Sequence, residues 1–307
     1  MSIPSGLQPF ADRLVEIMSR EDAERVIETM VTTKRTGWWR NTLLSVERAS
    51  QPAGTPIEGL KGCFSVSGED RQALLQHPAV SAGAVYPINP ASVLAARALR
   101  AQAHEEVLDL AAAPGGKTLI LAADMRNTGR IAAVEPVKGR FHRLRANMDR
   151  CGVQNVQFYL SDGRGIGRKV PGRFDRVLLD APCSSESRIR LDEPGSYAHW
   201  TLRKIKETAR KQKTLIRSAF TALKPGGRLI YCTCAFAPEE NEMIVNALLE
   251  AEPAADLEDI RSSAPGYRQG LTKWRTKSLD ERLTRAVRIL PDDLWDGFFL
   301  CRIIRRE

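Results

Sequence analysis

The sequence contains no apolar run approaching the roughly 18 residues of a membrane-spanning helix, and its opening, MSIPSGLQPFADRL, has no basic segment followed by an apolar one. From these absences the expectation is a soluble, cytoplasmic protein without a membrane partner. Cysteine is sparse. The six residues Cys63, Cys151, Cys183, Cys232, Cys234 and Cys301 are scattered over 307 positions, far below the density of a disulfide scaffold, and read as reduced thiols. No C-x-x-C pair or suitably spaced histidine pair accompanies them, which argues against zinc, and no metal is expected. Internal repeats and low-complexity tracts are also missing.

What is present is positive charge and length. The 46 Lys and Arg outnumber the 37 Asp and Glu, for a net charge of +9. A pI near 9.4 suits a partner rich in phosphate, although charge alone does not name nucleic acid. A chain of 307 residues can hold one large α/β domain and a small companion, each with a core.

Leu14, Ile17, Met18, Val26, Ile27 and Met30 recur at helical spacing, and Ser19 with Asp22 suggests a cap that splits two short helices. The stretch Lys34 to Arg48, KRTGWWRNTLLSVER, could stack on nucleic acid; two tryptophans partly buried in a small core is the preferred reading. Turn residues around Gly54, Pro56 and Gly59, and again from His77 to Ser92, place a boundary near residue 85, giving domains 1–84 and 85–307. From Val107 the pattern becomes βαβ: VLDL, a helix from about Thr118, IAAV, a helix over 138–150, VQFYL and RVLLD. A long basic helix from about Trp200 to Leu223 precedes the strand RLIYCT, and a helix is expected directly after Pro238 with acidic residues in its first turns. Residues 252–287 are polar and irregular.

Three motifs fall at strand ends, where open α/β sheets bind ligands. DLAAAPGGKT, Asp109 to Thr118, is a Gly-rich turn from strand to helix. A phosphate loop would need glycine at 111, which is alanine, and G-x-G-x-x-G is absent, so a methyl-donor loop fits best. Glu135 after IAAV would then face the ribose hydroxyls, and Asp162 after VQFYL the adenine; the bland alternative makes both ordinary strand-end acids. The second motif is Asp180-Ala181-Pro182-Cys183 and the third Thr233-Cys234-Ala235. A cysteine is most often a small buried hydrophobe, the reading given to Cys63, Cys151, Cys232 and Cys301. Two thiols beside a methyl donor suggest more, because carbon 5 of a pyrimidine becomes nucleophilic only after a group such as a thiolate adds to carbon 6.

DLAAAPGGKT, DAPCS, LKPGGRLIYCTCAFAPEENE and RILPDDLWDGFF resemble, in order, the motifs of the Sun-family (Fmu-like) RNA 5-methylcytosine methyltransferases, and RNTL at 40–43 resembles that family's N-terminal R-x-N-T-L element. The likeness covers most of the chain. It implies a Rossmann-like class I methyltransferase fold with a mixed, mostly parallel seven-stranded sheet, its last strand antiparallel, beside a small N-terminal α/β domain. It implies an S-adenosylmethionine-dependent enzyme acting on rRNA or tRNA and rRNA processing or tRNA modification as its setting, with the chain monomeric. Cys234 is the nucleophile by this resemblance and Cys183 assists product release, whereas DNA cytosine methyltransferases place the nucleophile in Pro-Cys. The donor would be held by Ala112, Ala113, Pro114, Gly115, Gly116, Lys117, Glu135, Arg140, Asp162 and Asp180. Lys117 is the candidate cation for the thiolate, and Asp180 would hydrogen-bond the amidine edge of the base. Two departures stand out: Ser185-Glu186-Ser187-Arg188 replaces the glycine-containing stretch that usually follows Pro-Cys-Ser, and YPINPAS precedes the donor loop. The helix Leu202 to Arg217 carries seven Lys or Arg (Arg203, Lys204, Lys206, Arg210, Lys211, Lys213, Arg217) against Glu207, and is read equally as a solvated face or a phosphate contact. The rival readings are a non-catalytic RNA-binding assembly factor, an ATP-binding protein with a degenerate loop, and a small-molecule methyltransferase.

Overall fold

A computed structural model of the chain describes residues 3–44, 51–260 and 264–307; positions 45–48 of the tryptophan-containing stretch lie outside the described residues. The chain opens with helices α1 (Gln8–Ile17) and α2 (Arg20–Thr29) and continues through β1 (Thr36–Arg40), β2 (Thr55–Pro56), β3 (Cys63–Val66), α3 (Arg71–Gln76), α4 (Pro78–Ser81) and β4 (Val85–Pro87). There follow α5 (Pro90–Ala98), β5 (Glu106–Asp109), α6 (Gly116–Asp124), β6 (Arg130–Val134), α7 (Lys138–Arg150), β7 (Val156–Tyr159), α8 (Ile166–Lys169), β8 (Phe174–Asp180), α9 (Pro194–Tyr197), α10 (Leu202–Ala222), β9 (Leu223–Thr233) and α11 (Glu242–Ala251). After α11 come the strands β10 (Ala255–Glu258), β11 (Tyr267–Gln269), β12 (Lys273–Trp274), β13 (Lys277–Ser278), β14 (Val287–Ile289) and β15 (Phe298–Arg305), with a 3-10 turn at Glu281–Arg285.

The large sheet runs β11-β14-β15-β9-β8-β5-β6-β7, with β10 on β15 beside β14. Strands β5 to β9 pair in parallel, and β15 enters antiparallel to β9, so the mixed Rossmann-like expectation stands. The expected seven strands are corrected to nine among the described residues. The additions include β10 and β11, from the stretch 252–287 that no periodicity marked. Both are short: β10 turns only Ala255 and Leu257 into the core, and β11 is exposed throughout, so its pairing with β14 rather than an apolar face creates it.

Alternation along the central strands fills two cores. Leu108, Val177, Leu179, Leu229 and Tyr231 face one, with α10 and α11, while Val107, Leu178, Ile230 and Cys232 face the other, with α5 and α6. Successive side chains on a strand point to opposite faces, so a strand covered on both sides reads as a continuous apolar run. The helix expected directly after Pro238 begins only at Glu242. Glu240 is buried and accepts from Ser184, which draws the preceding turn toward the Pro-Cys loop.

Ser19 caps α2 as expected, accepting from Asp22 N at 3.1 Å. Leu7, Phe10, Leu14, Ile17, Val26 and Met30 join the core on the α10 face, with the Phe10 ring 5.4 Å from that of Trp200. The four-stranded sheet β2-β3-β1-β4 uses Val85–Pro87, and both of its tryptophans are buried: Trp38 stacks on Phe64 at 4.4 Å, and Trp39 joins the α5 and α6 core. Asn41 of the RNTL element is buried, and its amide donates to Gly83 O and Cys151 O, tying this sheet to the end of α7. No helix among the described residues is long and apolar enough to cross a membrane.

Candidate active site

The sheet order reverses between β5 and β8, and there the carboxyl ends of neighbouring strands splay apart and leave a crevice. A cavity of about 210 Å³ occupies it, lined on one side by Ala111, Ala112, Ala113, Pro114, Gly116 and Lys117. The turn is tight because Gly115, the residue before α6, sits at φ 109°; a Cβ there would be strained and 2.6 Å from Met148 Cε. Two side chains of α7 hold the turn from outside. Arg140 Nη2 donates to Ala113 O at 2.7 Å, and Asn147 Nδ2 to Pro114 O at 2.8 Å.

Glu135 follows β6 and is completely buried, accepting from Val137 N at 3.0 Å through Oε1. Among the described residues its Oε2 has no hydrogen-bond partner, and Arg140 Nη1 stands 3.6 Å away. A buried carboxylate oxygen left without a donor calls for one, and a ribose hydroxyl is such a donor. Asp162 is placed differently: it is exposed, caps the turn after β7, and is gripped by Arg164, whose hydrogen bonds hold its carboxyl below the usual range.

Across the cavity the ends of β8 and β9 lie side by side, because their parallel register sets Asp180 against Cys232. The loops that leave them carry Cys183 and Cys234, and the two sulfurs are 3.4 Å apart. Lys117 Nζ reaches over from α6 to Asp180 Oδ2 at 2.7 Å and to Ser92 Oγ at 3.0 Å. Its charge is thus paired with Asp180. The thiol of Cys183 hydrogen-bonds Cys234, and this contact, with the nearby charge of Arg188, brings Cys234 down to about 7 although burial pushes it up. Cys183 moves the opposite way, well above the ordinary thiol value, through the same hydrogen bond and its burial. Asp109 lines the cavity floor, and burial raises its carboxyl to about 7 despite the Thr118 hydroxyl at 2.7 Å. The other four cysteines, Cys63, Cys151, Cys232 and Cys301, are buried, as expected.

Two buried carboxylates fasten the cysteine loops together. Glu186 accepts from Trp200 Nε1 at 2.9 Å and from Phe236 N and Ala237 N, both at 2.8 Å, so the Pro-Cys loop grips the Thr-Cys loop. Glu240 returns the grip, accepting from Ser184 N at 2.9 Å, Ser184 Oγ, and Gln212 Nε2 at 3.2 Å. Sequence reasoning assigned neither a role. It also missed Tyr86, Pro87, Ile88, Asn89, Ser92 and Arg188, all of which line the cavity. The available signal was that these residues fall in the two stretches that depart from the Sun-family pattern.

Residues 96–304 match the profile of a family described as 16S rRNA methyltransferase RsmB/F. The chain belongs to the RsmB/F family. Ribosomal RNA small subunit methyltransferase F of Serratia proteamaculans is 43% identical over 77% of this chain and 45% of its own length. Its namesake in an Escherichia coli strain is 40% identical over 82% of this chain and 52% of its own. The chain therefore spans about half the length of the RsmB/F relatives it matches in sequence. A methyltransferase homologue from Pyrococcus horikoshii superposes with a TM-score of 0.82 at 31% identity, covering 97% of this chain and 94% of that one.

Proposed function

We propose that this RsmB/F chain transfers a methyl group from S-adenosylmethionine to carbon 5 of a cytosine in ribosomal RNA, through a covalent bond between Cys234 and carbon 6. The observation that carries this reading is the pair of sulfurs 3.4 Å apart at the ends of adjacent strands, beside a cavity that holds Asp180 and the Gly-rich turn. The names of the sequence relatives support ribosomal over transfer RNA. A cytoplasmic, monomeric enzyme without a metal belongs to the same reading.

The unpartnered Glu135 oxygen and the backbone of the turn at 111–114 suit the donor's adenosine and methionine parts; Arg140 supports the turn, and Asp162 stands at the rim. When bound, S-adenosylmethionine supplies an electrophilic methyl group. Cys234 Sγ, as thiolate, bonds to carbon 6 of the base, and the electron pair of the 5,6 double bond shifts onto carbon 5. Asp180 hydrogen-bonds the amidine edge where charge develops, its own charge balanced by Lys117 at 2.7 Å. Carbon 5 gains the methyl and loses its proton to a base; the electrons of that C–H bond restore the double bond as Cys234 Sγ departs. Cys183, with its thiol kept protonated, is placed to give the departing sulfur a hydrogen bond.

Residues 1–84 and the basic face of α10 hold the RNA in this reading. Arg203, Lys206, Arg210, Lys211, Lys213 and Arg217 are exposed, and of these only Arg203 makes an ion pair among the described residues, with Glu207 at 3.0 Å. Bisulfite sequencing of ribosomal RNA from cells with and without the chain tests the proposal. One protected cytosine should disappear with the gene; unchanged protection, together with stabilisation of the protein by RNA but not by S-adenosylmethionine, would favour an assembly factor.

A further inference from the structure

Four charged side chains line the cavity: Asp109, Lys117, Asp180 and Arg188. Asp109 accepts from Thr118, and Lys117 is matched with Asp180. Arg188 has no such match. Its guanidinium makes neither an ion pair nor a hydrogen bond among the described residues, while its backbone N–H donates to Ser185 O at 2.9 Å. One uncompensated cation therefore borders the cavity, and its placement is specific. Ser187 N–H donates to Cys234 O at 3.1 Å, which pins the residue before Arg188 to the nucleophile's own backbone. Ser185, a non-glycine residue at φ 59°, supplies the left-handed turn that points the segment this way.

We propose that Arg188 is a positioning residue that holds Cys234 as the thiolate, the task sequence reasoning gave to Lys117. The inference rests on the reading of Cys234 as nucleophile. Other groups also face that sulfur: Cys183 and Ser185 from the Pro-Cys loop, Asp180 from β8 and Lys117 from α6. Glu240 acts on Cys183, and Asp296 on Arg188. Asp180 opposes the thiolate and is neutralised by Lys117, so the pair contributes little net field at the sulfur. Cys183 stabilises the thiolate by donation and carries no charge. Asp296, which acts on Arg188, is itself paired with Lys34 at 3.1 Å, so Arg188 is the net positive charge at the site, and it lies in the stretch where glycine-containing sequence is usual in the family. The Arg188 side chain is exposed at the cavity's edge.

The test is the pH dependence of Cys234 alkylation by iodoacetamide in the full chain, followed by peptide mass spectrometry so that each cysteine is read separately. In the parent the rate should be half-maximal near pH 7. R188Q should raise that midpoint by about one pH unit and slow alkylation several-fold at pH 7, while R188K should restore most of it. Melting temperatures should be unchanged, because the Arg188 side chain has no hydrogen bond or ion pair among the described residues to lose. An unmoved midpoint in R188Q would overturn the proposal. So would a shift that R188K does not restore and that comes with a lowered melting temperature, since this marks a structural role. Weakened S-adenosylmethionine binding in R188Q with the midpoint unmoved would overturn it too, and would make the donor carboxylate the anion. If C234A still methylates RNA while the midpoint shift holds, the nucleophile reading fails and the Arg188 assignment stands.

Discussion

Cys183 Sγ and Cys234 Sγ lie 3.4 Å apart, with opposite displacements: Cys234 is brought down to about 7, and Cys183 is pushed well above the ordinary thiol range. One sulfur is thus suited to attack and the other to donate. C234A should abolish methylation and form no adduct with RNA. C183A should transfer the methyl and then stall, leaving a complex with RNA and S-adenosylmethionine that survives heating in detergent and runs slowly on a denaturing gel. The reverse pattern would make Cys183 the nucleophile, and persistent methylation in both variants without adduct would remove covalent catalysis.

Glu135 and Asp162 part company in the structure. E135A removes a fully buried acceptor with one oxygen unpartnered and should weaken donor binding roughly ten- to hundred-fold, the scale of a hydrogen bond to a charged group. D162A, at an exposed carboxylate already held by Arg164, should weaken it less. Isothermal titration with S-adenosylmethionine checks both, and equal affinities in E135A and the parent would show that the end of β6 does not hold the donor.

Burial outweighs the donors around Glu240 and raises its carboxyl from 4.5 to about 7. A folded-state value above the unfolded one means the native protein holds the proton more tightly. That stabilisation is complete below pH 4.5 and is lost as pH rises through 7. E240Q stays neutral at every pH, so the parent should lose up to about 3 kcal/mol relative to it between pH 5 and 8. Asp109 titrates in both proteins and cancels in the comparison. Parallel melting curves across that range would place the proton elsewhere.

RNA affinity should fall steeply with salt, because each neutralised phosphate releases counterions. Replacing Arg203, Lys206, Arg210 and Lys213 of α10 by glutamine should lower the slope of log affinity against log salt by up to about 3. Filter binding across salt concentrations measures this, and a slope equal to the parent's would make α10 a solvated face.

The tryptophan pair, the Ser19 cap and the five parallel strands were legible because each follows from local pattern. Burial of two adjacent aromatics, a hydroxyl one turn before an apolar stripe, and short apolar runs alternating with amphipathic stretches need no distant partner to be recognised. Strands β10 and β11 were not legible: β10 offers only the two apolar residues Ala255 and Leu257, too short an alternation to mark a strand, and β11 is exposed and formed by backbone pairing to β14.

The sequence by itself determined the chemistry available: a Gly-rich turn, an acid, Pro-Cys and Thr-Cys, each at the end of an apolar run that must be a strand. Their functional relations came only with the tertiary structure. Cys183 and Cys234 are 51 residues apart in the chain and meet because β8 and β9 pair with Asp180 opposite Cys232. Lys117, the obvious cation in the motif, is taken by Asp180, and Arg188, unremarkable in its local sequence, has no ion pair or side-chain hydrogen bond among the described residues. Glu186 and Glu240 look like surface acids until the loops fold over them. The physical reason is common to all of these: a side chain's charge, burial and partner are set by groups distant in the chain, and spacing along the sequence carries no record of which groups those will be.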